Sequence, residues 1–238
     1  GSEMCIRDRP GSTFKILAAY SAALDAGGLT LASVQDDAPY TYAGANGKSV
    51  NNYDRRYRGF TTLREAITDS INIVTVKTLA QAGVSLGWQY VQEYGFTTVD
   101  SRDMNEALAL GGITQGVSNL ELTAAYAAIA NQGTYIKPKF YTKILDHDGN
   151  VLIDNTTPES HTVIKDTTAW LLTSAMEDVM TSGTGTSAYF GSSMAQAGKS
   201  GTTTSSRDAL FAGYTPYYTC AVWGGYDDNC LLYTSDAA

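Results

Sequence analysis

The chain has 238 residues and a formal net charge of −8, and 43% of its residues are hydrophobic. A chain of this length forms one large domain with ample core. Its acidic balance argues against nucleic acid as a partner, because a nucleic-acid-binding face is basic. No apolar run reaches the ~18 residues of a membrane span, so any anchor is expected outside this sequence.

The two ends of the chain differ in character from the rest. The first nine residues, GSEMCIRDR, resemble the translation of a transposase-type sequencing adapter, and the last nine, CLLYTSDAA, resemble its partner. We therefore predict that residues 1–9 and 230–238 are non-native and that residues 10–229 are one truncated domain. Cys5 and Cys230 fall within these ends, which leaves Cys220 alone and predicts no disulfide.

The first half of the chain predicts several helices and one loop. The first helix runs over residues 12–26, because it follows Pro10, carries an apolar stripe and stops at two glycines. Residues 36–60 are rich in Asp, Gly, Asn and Tyr and show no helical period, so we predict a loop there. Capping boxes open further helices at Thr62 and Ser118.

The second half predicts a hairpin, a helix and three strands. Residues 134–154 alternate in polarity around a turn at 146–149, and residues 168–180 are amphipathic. Strand-like segments end the chain, at residues 198–204, 209–214 and 218–225. Helices in the middle and strands at the end predict an α+β fold, with helices packed on an antiparallel sheet.

Ser12 and Lys15 lie one helical turn apart at the start of the first predicted helix, so their side chains share one face. A serine hydroxyl needs a neighbouring base to act as a nucleophile at neutral pH. A lysine serves as that base when burial or a nearby cation lowers its pKa. Alone, the S-x-x-K pattern occurs by chance about once in such a chain, and the pair also suits a capping serine beside a solvated lysine.

A second motif, Lys199-Ser200-Gly201-Thr202, begins a strand-like run. A strand edge with a lysine, small hydroxyls and a glycine suits an extended substrate that ends in a carboxylate. The glycine leaves room for close approach. As an isolated tetrapeptide it is more often an ordinary polar strand start than a binding site.

A third motif, S-x-N, occurs twice. Ser49 and Asn51 lie in the predicted loop, whereas Ser70 and Asn72 lie at a helix end between apolar segments. We choose Ser70 and Asn72, because that position holds a hydroxyl and an amide rigidly. The Ser70 hydroxyl would then relay a proton between the lysines and the leaving amine, and Asn72 would hydrogen-bond the substrate.

The order S-x-x-K, S-x-N, K-[ST]-G is that of class A β-lactamases and penicillin-binding proteins. Over nearly all of residues 10–229, the chain resembles the transpeptidase domain of a class A (bifunctional) penicillin-binding protein. Residues 10–15, 62–66 and 110–118 carry the resemblance further. It implies a β-lactamase/transpeptidase-like fold that is incomplete at both ends, so we expect the isolated chain to fold poorly.

The resemblance implies that Ser12 is the acylated nucleophile, that Lys15 is its base and that Ser70 shuttles the proton. It assigns the substrate to five further residues: Asn72, Lys199, Ser200, Gly201 and Thr202. Lys199 and the two hydroxyls would receive the terminal carboxylate, and the N–H groups of Ser12 and Thr202 would form the oxyanion hole. Ser200 stands where the family usually has threonine, but the hydroxyl is kept. No cofactor and no metal are implied.

The implied reaction is D,D-transpeptidation, which cross-links peptidoglycan stem peptides through a serine acyl-enzyme. The implied partners are those stem peptides and β-lactams, together with other cell-wall synthesis proteins. The implied location is the outer face of the bacterial cytoplasmic membrane, where a segment missing from this chain would anchor a parent protein that also carries a glycosyltransferase domain.

Other activities share the same motifs. A serine β-lactamase hydrolyses its acyl-enzyme with a glutamate-positioned water near an E-x-x-L-N segment, and residues 106–110, EALAL, lack the asparagine. A D,D-carboxypeptidase transfers the acyl group to water. A penicillin sensor is acylated without turnover and needs a fused receptor module.

Overall fold

The computed structural model describes residues 7–43, 47–191, 193–203, 207–226, 230 and 232. Most of the two predicted non-native ends, including Cys5, lies outside these residues, as do the domain boundary at 229 and Thr204 of the predicted strand 198–204. No helix among the described residues is both long enough and apolar enough to cross a membrane.

The first helix changes its winding along its length. It begins as a 3₁₀ turn at Gly11–Thr13, continues as a π-helical segment at Lys15–Tyr20 and ends as an α-helical turn, α1. The α-helices of the described chain are α1 (Ser21–Asp25), α2 (Leu63–Thr68), α3 (Asn72–Ala82), α4 (Val84–Glu93), α5 (Asn119–Ala130) and α6 (Asp166–Thr181). Shorter 3₁₀ turns lie at Ser101–Asp103, Glu106–Leu110 and Thr186–Ala188.

The strands form antiparallel pairs and one larger sheet. They are β1 (Arg7–Asp8), β2 (Val34–Asp37), β3 (Tyr40–Thr41), β4 (Ser49–Val50), β5 (Gly59–Thr62), β6 (Val117–Ser118), β7 (Thr134–Ile136), β8 (Lys143–Leu145), β9 (Val151–Asp154), β10 (Ser160–Thr162), β11 (Ala197–Thr202), β12 (Asp208–Tyr214) and β13 (Thr219–Gly225). The sheet has the order β11-β12-β13, and its register places Lys199 opposite Ala212, which lies opposite Ala221.

The helices and the sheet share one core. Phe14, Ile16 and Leu17 of the first helix are fully buried, and both α5 and α6 pack on the sheet. The Tyr126 hydroxyl of α5 donates to the Thr13 carbonyl oxygen at 2.7 Å, which fixes the start of the first helix against α5. The α+β prediction, with helices packed on an antiparallel sheet, is confirmed.

Local signals in the sequence placed several elements correctly. Both predicted capping boxes form, with Thr62 capping α2 and Ser118 capping α5. The predicted hairpin is the β8–β9 pair, and the last three predicted strands correspond to β11, β12 and β13. These features depend on residues close together in the chain, so the sequence pattern carries them directly.

The prediction of a loop over residues 36–60 is wrong in part. The short strands β3 and β4 pair within it, and β2 pairs with β5 across its two ends, with Asp37 opposite Gly59. Strands of two to four residues are too short to show a period-2 pattern. Pairing between segments that are distant in the chain creates this structure.

Candidate active site

The first helix starts with a tight turn that presents Ser12 to a cleft. Gly11 has φ +52°, a left-handed conformation that glycine adopts readily because it has no Cβ. The Thr13 hydroxyl donates to the Pro10 carbonyl oxygen at 2.6 Å and closes the turn. Ser12 lines the cleft, and no other described residue hydrogen-bonds its hydroxyl.

Lys15, one turn after Ser12, points into the protein and is fully buried. Its Nζ donates to the Ser70 carbonyl oxygen at 2.6 Å, to the Asn72 Oδ1 atom at 2.6 Å and to the Ser70 hydroxyl at 3.1 Å. These three contacts fit a protonated lysine, and a neutral amine can keep two of them and accept the third from the Ser70 hydroxyl. Lys15 also begins the π-helical segment, a rare winding that is frequent at functional sites.

Lys199 approaches Ser70 from β11. Its fully buried Nζ donates to the Ser70 hydroxyl at 2.9 Å and to the Ser200 carbonyl oxygen at 3.1 Å. The Ser70 hydroxyl therefore lies within hydrogen-bonding distance of two lysine Nζ atoms, one from the first helix and one from the sheet. A hydroxyl both donates and accepts, so it can pass a proton between the two amines.

The environment lowers the pKa of both lysines. Burial lowers the pKa of Lys15 well below its ordinary value, and the nearby charge of Lys199 lowers it further. Burial lowers the pKa of Lys199 to about 7. Burial acts in this way because it disfavours the charged form of an amine. A lysine with a lowered pKa can accept a proton near neutral pH, as a general base must.

Ser70 has an unusual backbone conformation. Its φ is +55°, and it is one of three non-glycine residues with positive φ among those described. This conformation is costly for a residue with a Cβ and persists where the surroundings impose it, often at functional sites. Here it marks the break between α2 and α3, where the hydroxyl reaches both lysines.

Of the two S-x-N motifs, the structure brings Ser70 and Asn72 to Lys15. Ser49 of the alternative motif is exposed on β4. The backbone carbonyl of Asn51 accepts a hydrogen bond from the Asn72 Nδ2 atom at 2.7 Å. The second motif therefore lies beside the first and supports it through its backbone.

β11 passes very close to the start of the first helix. A Cβ atom built on Gly201 would lie 2.9 Å from the Thr13 Cγ2 atom and 3.0 Å from the Pro10 carbonyl oxygen. Glycine therefore permits this approach. It brings Thr202 into the wall of the cleft beside Ser12. The Ser200 hydroxyl, which is not part of the cleft lining, donates to the Thr184 hydroxyl at 2.9 Å.

The cleft beside Ser12 has a volume of about 220 Å³. It is lined by Arg9, Gly11, Ser12, Tyr42, Lys48, Asn72, Ala107, Leu110, Gly111, Gly112, Thr202, Thr203, Arg207 and Asp208. Lys15, Ser70 and Lys199 are not among the described residues that line this cleft, and all three are buried. Lys199 contacts Ser70 directly.

Sequence reasoning did not assign site positions to Tyr42, Lys48, Arg207 or Asp208, all of which line the cleft. Asp208 accepts hydrogen bonds from the Thr203 hydroxyl at 3.0 Å and from the Trp223 indole at 3.1 Å, and so fixes the end of the β11–β12 connection. The sequence signal for Asp208 was its position a few residues after the K-S-G strand. Tyr42 and Lys48 reach the cleft because β3 pairs with β4, which no local pattern indicated.

Glu106, the glutamate weighed for a β-lactamase, has a different set of contacts. Its carboxylate accepts hydrogen bonds from the Tyr40 hydroxyl and from the Ala43 N–H, both at 2.9 Å. Both carboxylate oxygens are engaged in holding the segment after β3. Glu106 therefore acts as an anchor for this wall of the site.

Sequence comparison identifies the family. The model of the penicillin-binding protein transpeptidase domain matches residues 5–226. Penicillin-binding protein 1F of Bacillus subtilis is 40% identical over 225 residues, which cover 92% of this chain and 30% of that protein. Penicillin-binding protein 1A of Clostridium botulinum is 34% identical over 242 residues, 96% of this chain and 29% of that protein.

Solved structures agree with this result. Penicillin-binding protein 1A from Haemophilus influenzae superposes with a TM-score of 0.82 at 27% identity, over 94% of this chain and 38% of that one. The PonA1 protein from Mycobacterium tuberculosis in complex with penicillin V gives a TM-score of 0.82 at 25% identity, over 98% of this chain and 64% of that one. The chain belongs to the penicillin-binding protein transpeptidase family and is homologous to its class A members. It spans less than a third of the length of the curated relatives named above.

Proposed function

We propose that this chain is a peptidoglycan D,D-transpeptidase that works through an acyl-enzyme on Ser12. The observation that carries the proposal is the Ser70 hydroxyl, which lies 3.1 Å from the Lys15 Nζ and 2.9 Å from the Lys199 Nζ, while Ser12, one helical turn before Lys15, lines the cleft. This arrangement supports Ser12 as the nucleophile, Lys15 as a base with a lowered pKa and Ser70 as the proton relay.

In the first half-reaction, the Ser12 oxygen attacks the carbonyl carbon between the two terminal D-alanines of a stem peptide. The neutral Lys15 amine accepts the hydroxyl proton, and the N–H groups of Ser12 and Thr202 stabilise the oxyanion. The proton then passes through the Ser70 hydroxyl to the departing nitrogen. The C–N bond breaks, D-alanine leaves, and Ser12 carries the acyl group as an ester.

In the second half-reaction, the amine of a neighbouring stem peptide attacks the ester carbonyl. The relay runs in reverse: the attacking amine gives up a proton, and the Ser12 oxygen recovers one as the ester bond breaks. The product is an amide cross-link, and the serine is regenerated. β-Lactams mimic the donor and leave a penicilloyl ester on the same serine.

We assign the terminal carboxylate of the donor to the outer side of β11. The exposed Thr202 hydroxyl lies in the cleft wall, and the Ser200 hydroxyl can turn from its bond with Thr184 to accept this role. Lys199, which is buried and hydrogen-bonded to Ser70, attracts the carboxylate electrostatically without touching it. In this arrangement the buried Lys199 takes part in proton transfer, and the half-buried Ser200 and exposed Thr202 hydroxyls bind the substrate.

The contacts of Glu106 favour transpeptidation over β-lactam hydrolysis. A deacylating glutamate must hold a water beside the ester, but both Glu106 oxygens accept hydrogen bonds from the segment around β3. We therefore expect a long-lived penicilloyl-enzyme. The names of the relatives also support a parent protein that acts in cell-wall synthesis at the outer face of the cytoplasmic membrane, where stem peptides are found.

A two-substrate assay tests the proposal. A synthetic donor peptide that ends in D-Ala-D-Ala is incubated with the full chain and a D-amino acid as acceptor, and the products are separated by mass. The expected products are free D-alanine and the donor joined to the acceptor, with neither formed by Ser12→Ala. Hydrolysed donor alone would indicate a carboxypeptidase, and rapid turnover of a β-lactam would indicate a β-lactamase. Either result would overturn the assignment.

A further inference from the structure

Asn52 is a buried residue outside the three motifs whose side chain supports one of them. It lies two residues after β4 and is 2% exposed. Its Oδ1 atom accepts hydrogen bonds from the N–H of Asn72 at 3.0 Å and from the N–H of Ile73 at 3.2 Å. These are N–H groups at the start of α3, where a helix has no internal acceptors for them.

α3 depends on this distant acceptor, because the residue at its own N-cap position supplies no side-chain acceptor. The residue before the helix is Ile71, whose side chain makes no capping hydrogen bond. Asn52, twenty residues before Asn72 in the chain, provides the missing acceptor. The adjacent Asn51 carbonyl accepts the Asn72 side chain at 2.7 Å. Residues 51 and 52 thus hold both the backbone and the side chain of Asn72.

The other end of the Asn52 amide is fixed by a buried carboxylate. Its Nδ2 atom donates to both carboxylate oxygens of Asp37, at 2.8 and 3.0 Å, and to the Arg56 carbonyl oxygen at 2.8 Å. Asp37 is fully buried at the end of β2 and also accepts the Arg58 N–H at 2.9 Å. Acceptors surround the nitrogen and donors face the oxygen, so the amide has one orientation.

This chain of contacts leads directly to the proposed proton relay. Asp37 orients Asn52, Asn52 holds Asn72, and the Asn72 Oδ1 atom accepts a hydrogen bond from Lys15 at 2.6 Å. Ser70, two residues before Asn72, has the positive φ that places its hydroxyl between the lysines. Such a backbone conformation persists only when neighbouring structure imposes it.

We propose that Asn52, oriented by Asp37, is a positioning residue for acylation that fixes Ser70 and Asn72 against Lys15. It does not touch the substrate in this account, which rests on the proposed acyl-enzyme function. Its effect is on the rate of the chemical step, because a small displacement of catalytic groups costs much more in rate than in stability. The affinity of the initial, non-covalent complex with a β-lactam should change little.

The test compares Asn52→Ala with Ser118→Ala in the full chain. Each variant removes the side-chain cap of one helix. Asn52→Ala also takes the amide donor from the buried Asp37 carboxylate, so it should lower the melting temperature more than Ser118→Ala does. Stopped-flow measurement with a fluorescent penicillin separates the dissociation constant of the initial complex from the acylation rate constant. Asn52→Ala should lower the rate constant by about 10- to 100-fold with little change in the dissociation constant. Ser118→Ala should leave both at the wild-type value.

A second pair of variants does not rely on deleting the side chain. Asn52→Asp keeps the acceptor oxygen for the two N–H groups of α3 but places a carboxylate against Asp37, and the two charges repel. Asp37→Asn in the same chain restores a donor facing an acceptor. Asn52→Asp should acylate more slowly than wild type, and the double variant should recover part of the lost rate.

The outcomes separate this inference from the function on which it rests. Failure of the wild-type chain to form an adduct on Ser12 would refute the proposed function. A normal wild-type adduct, together with wild-type acylation rates for Asn52→Ala and Asn52→Asp, would refute the positioning role alone. An equal loss of rate in Ser118→Ala would also refute it, because a general loss of stability would then explain the effect. If Asn52→Ala does not fold, the acylation rates of Asn52→Asp and of the double variant with Asp37→Asn test the positioning role.

Discussion

Replacing Ser70 by alanine tests the relay at its centre. The substitution removes one oxygen atom that lies 3.1 Å from the Lys15 Nζ and 2.9 Å from the Lys199 Nζ. Loss of a positioned proton-transfer group typically lowers a rate by about 10²- to 10⁴-fold. We expect a loss of this size in the acylation rate constant with a fluorescent penicillin, measured by stopped flow.

The stability of the same variant should also fall. Lys15 keeps its bonds to the Ser70 carbonyl and to Asn72, and Lys199 keeps its bond to the Ser200 carbonyl. One donor hydrogen on each lysine loses its acceptor, at ~1–3 kcal/mol for each unsatisfied group. At ~2–4 °C per kcal/mol for a chain of this size, the melting temperature should fall by ~4–24 °C. The acylation rates are therefore compared at a temperature at which both chains are folded.

Two control variants separate the hydroxyl from the backbone. Ser70→Gly also lacks the hydroxyl, but glycine adopts positive φ without the ~1–2 kcal/mol penalty of a residue with a Cβ. It should be more stable than Ser70→Ala and acylate equally slowly. Ser49→Ala removes the serine of the other S-x-N motif and should acylate as wild type does. Recovery of the rate in Ser70→Gly, or wild-type acylation by Ser70→Ala, would refute the relay.

Three further changes have defined outcomes. Lys199→Met removes a positive charge that lowers the pKa of Lys15, so that pKa should rise. In a plot of the normalised acylation rate constant against pH, the acid limb should then move to higher pH. A limb that stays in place or moves to lower pH would contradict the electrostatic coupling. Most of the change should lie below pH 7, where Lys199, with a pKa of about 7, is charged in the wild type. Gly201→Ala forces a Cβ to within 2.9 Å of Thr13 Cγ2, and such overpacking typically costs ~1–3 kcal/mol. The variant should therefore have a lower melting temperature and a lower acylation rate. Wild-type values for both would show that the close approach is unnecessary. Glu106→Gln should leave the lifetime of the penicilloyl adduct unchanged, measured by chasing a labelled adduct with unlabelled antibiotic, whereas a much longer lifetime would identify Glu106 as a deacylating residue.

Short-range signals made much of the fold predictable. The capping boxes at Thr62 and Ser118 and the turn at residues 146–149 each involve residues within a few positions of one another, and all three form. The three motifs also predicted which side chains would meet. Lys15, Ser70 and Lys199 lie far apart in sequence and meet in the structure, and the resemblance rather than their spacing carried that expectation.

The features that the sequence did not reveal depend on long-range contacts. The positive φ of Ser70 and the cap that Asn52 gives to α3 arise only when residues 51–52 pack against residues 70–73. The full burial of Lys199 and the close approach of Gly201 to the first helix both arise where β11 packs against that helix. None of these contacts leaves a periodic pattern in the chain, because each joins single residues from separate elements.

The identity of the residue acylated by penicillin tests the central claim most directly. The full chain is incubated with benzylpenicillin, digested and mapped by tandem mass spectrometry, with Ser12→Ala treated in parallel. We predict one penicilloyl group per chain, on Ser12, that persists after the free antibiotic is removed, and no adduct in the variant. An adduct on any other residue, or equal labelling of Ser12→Ala, would contradict the account.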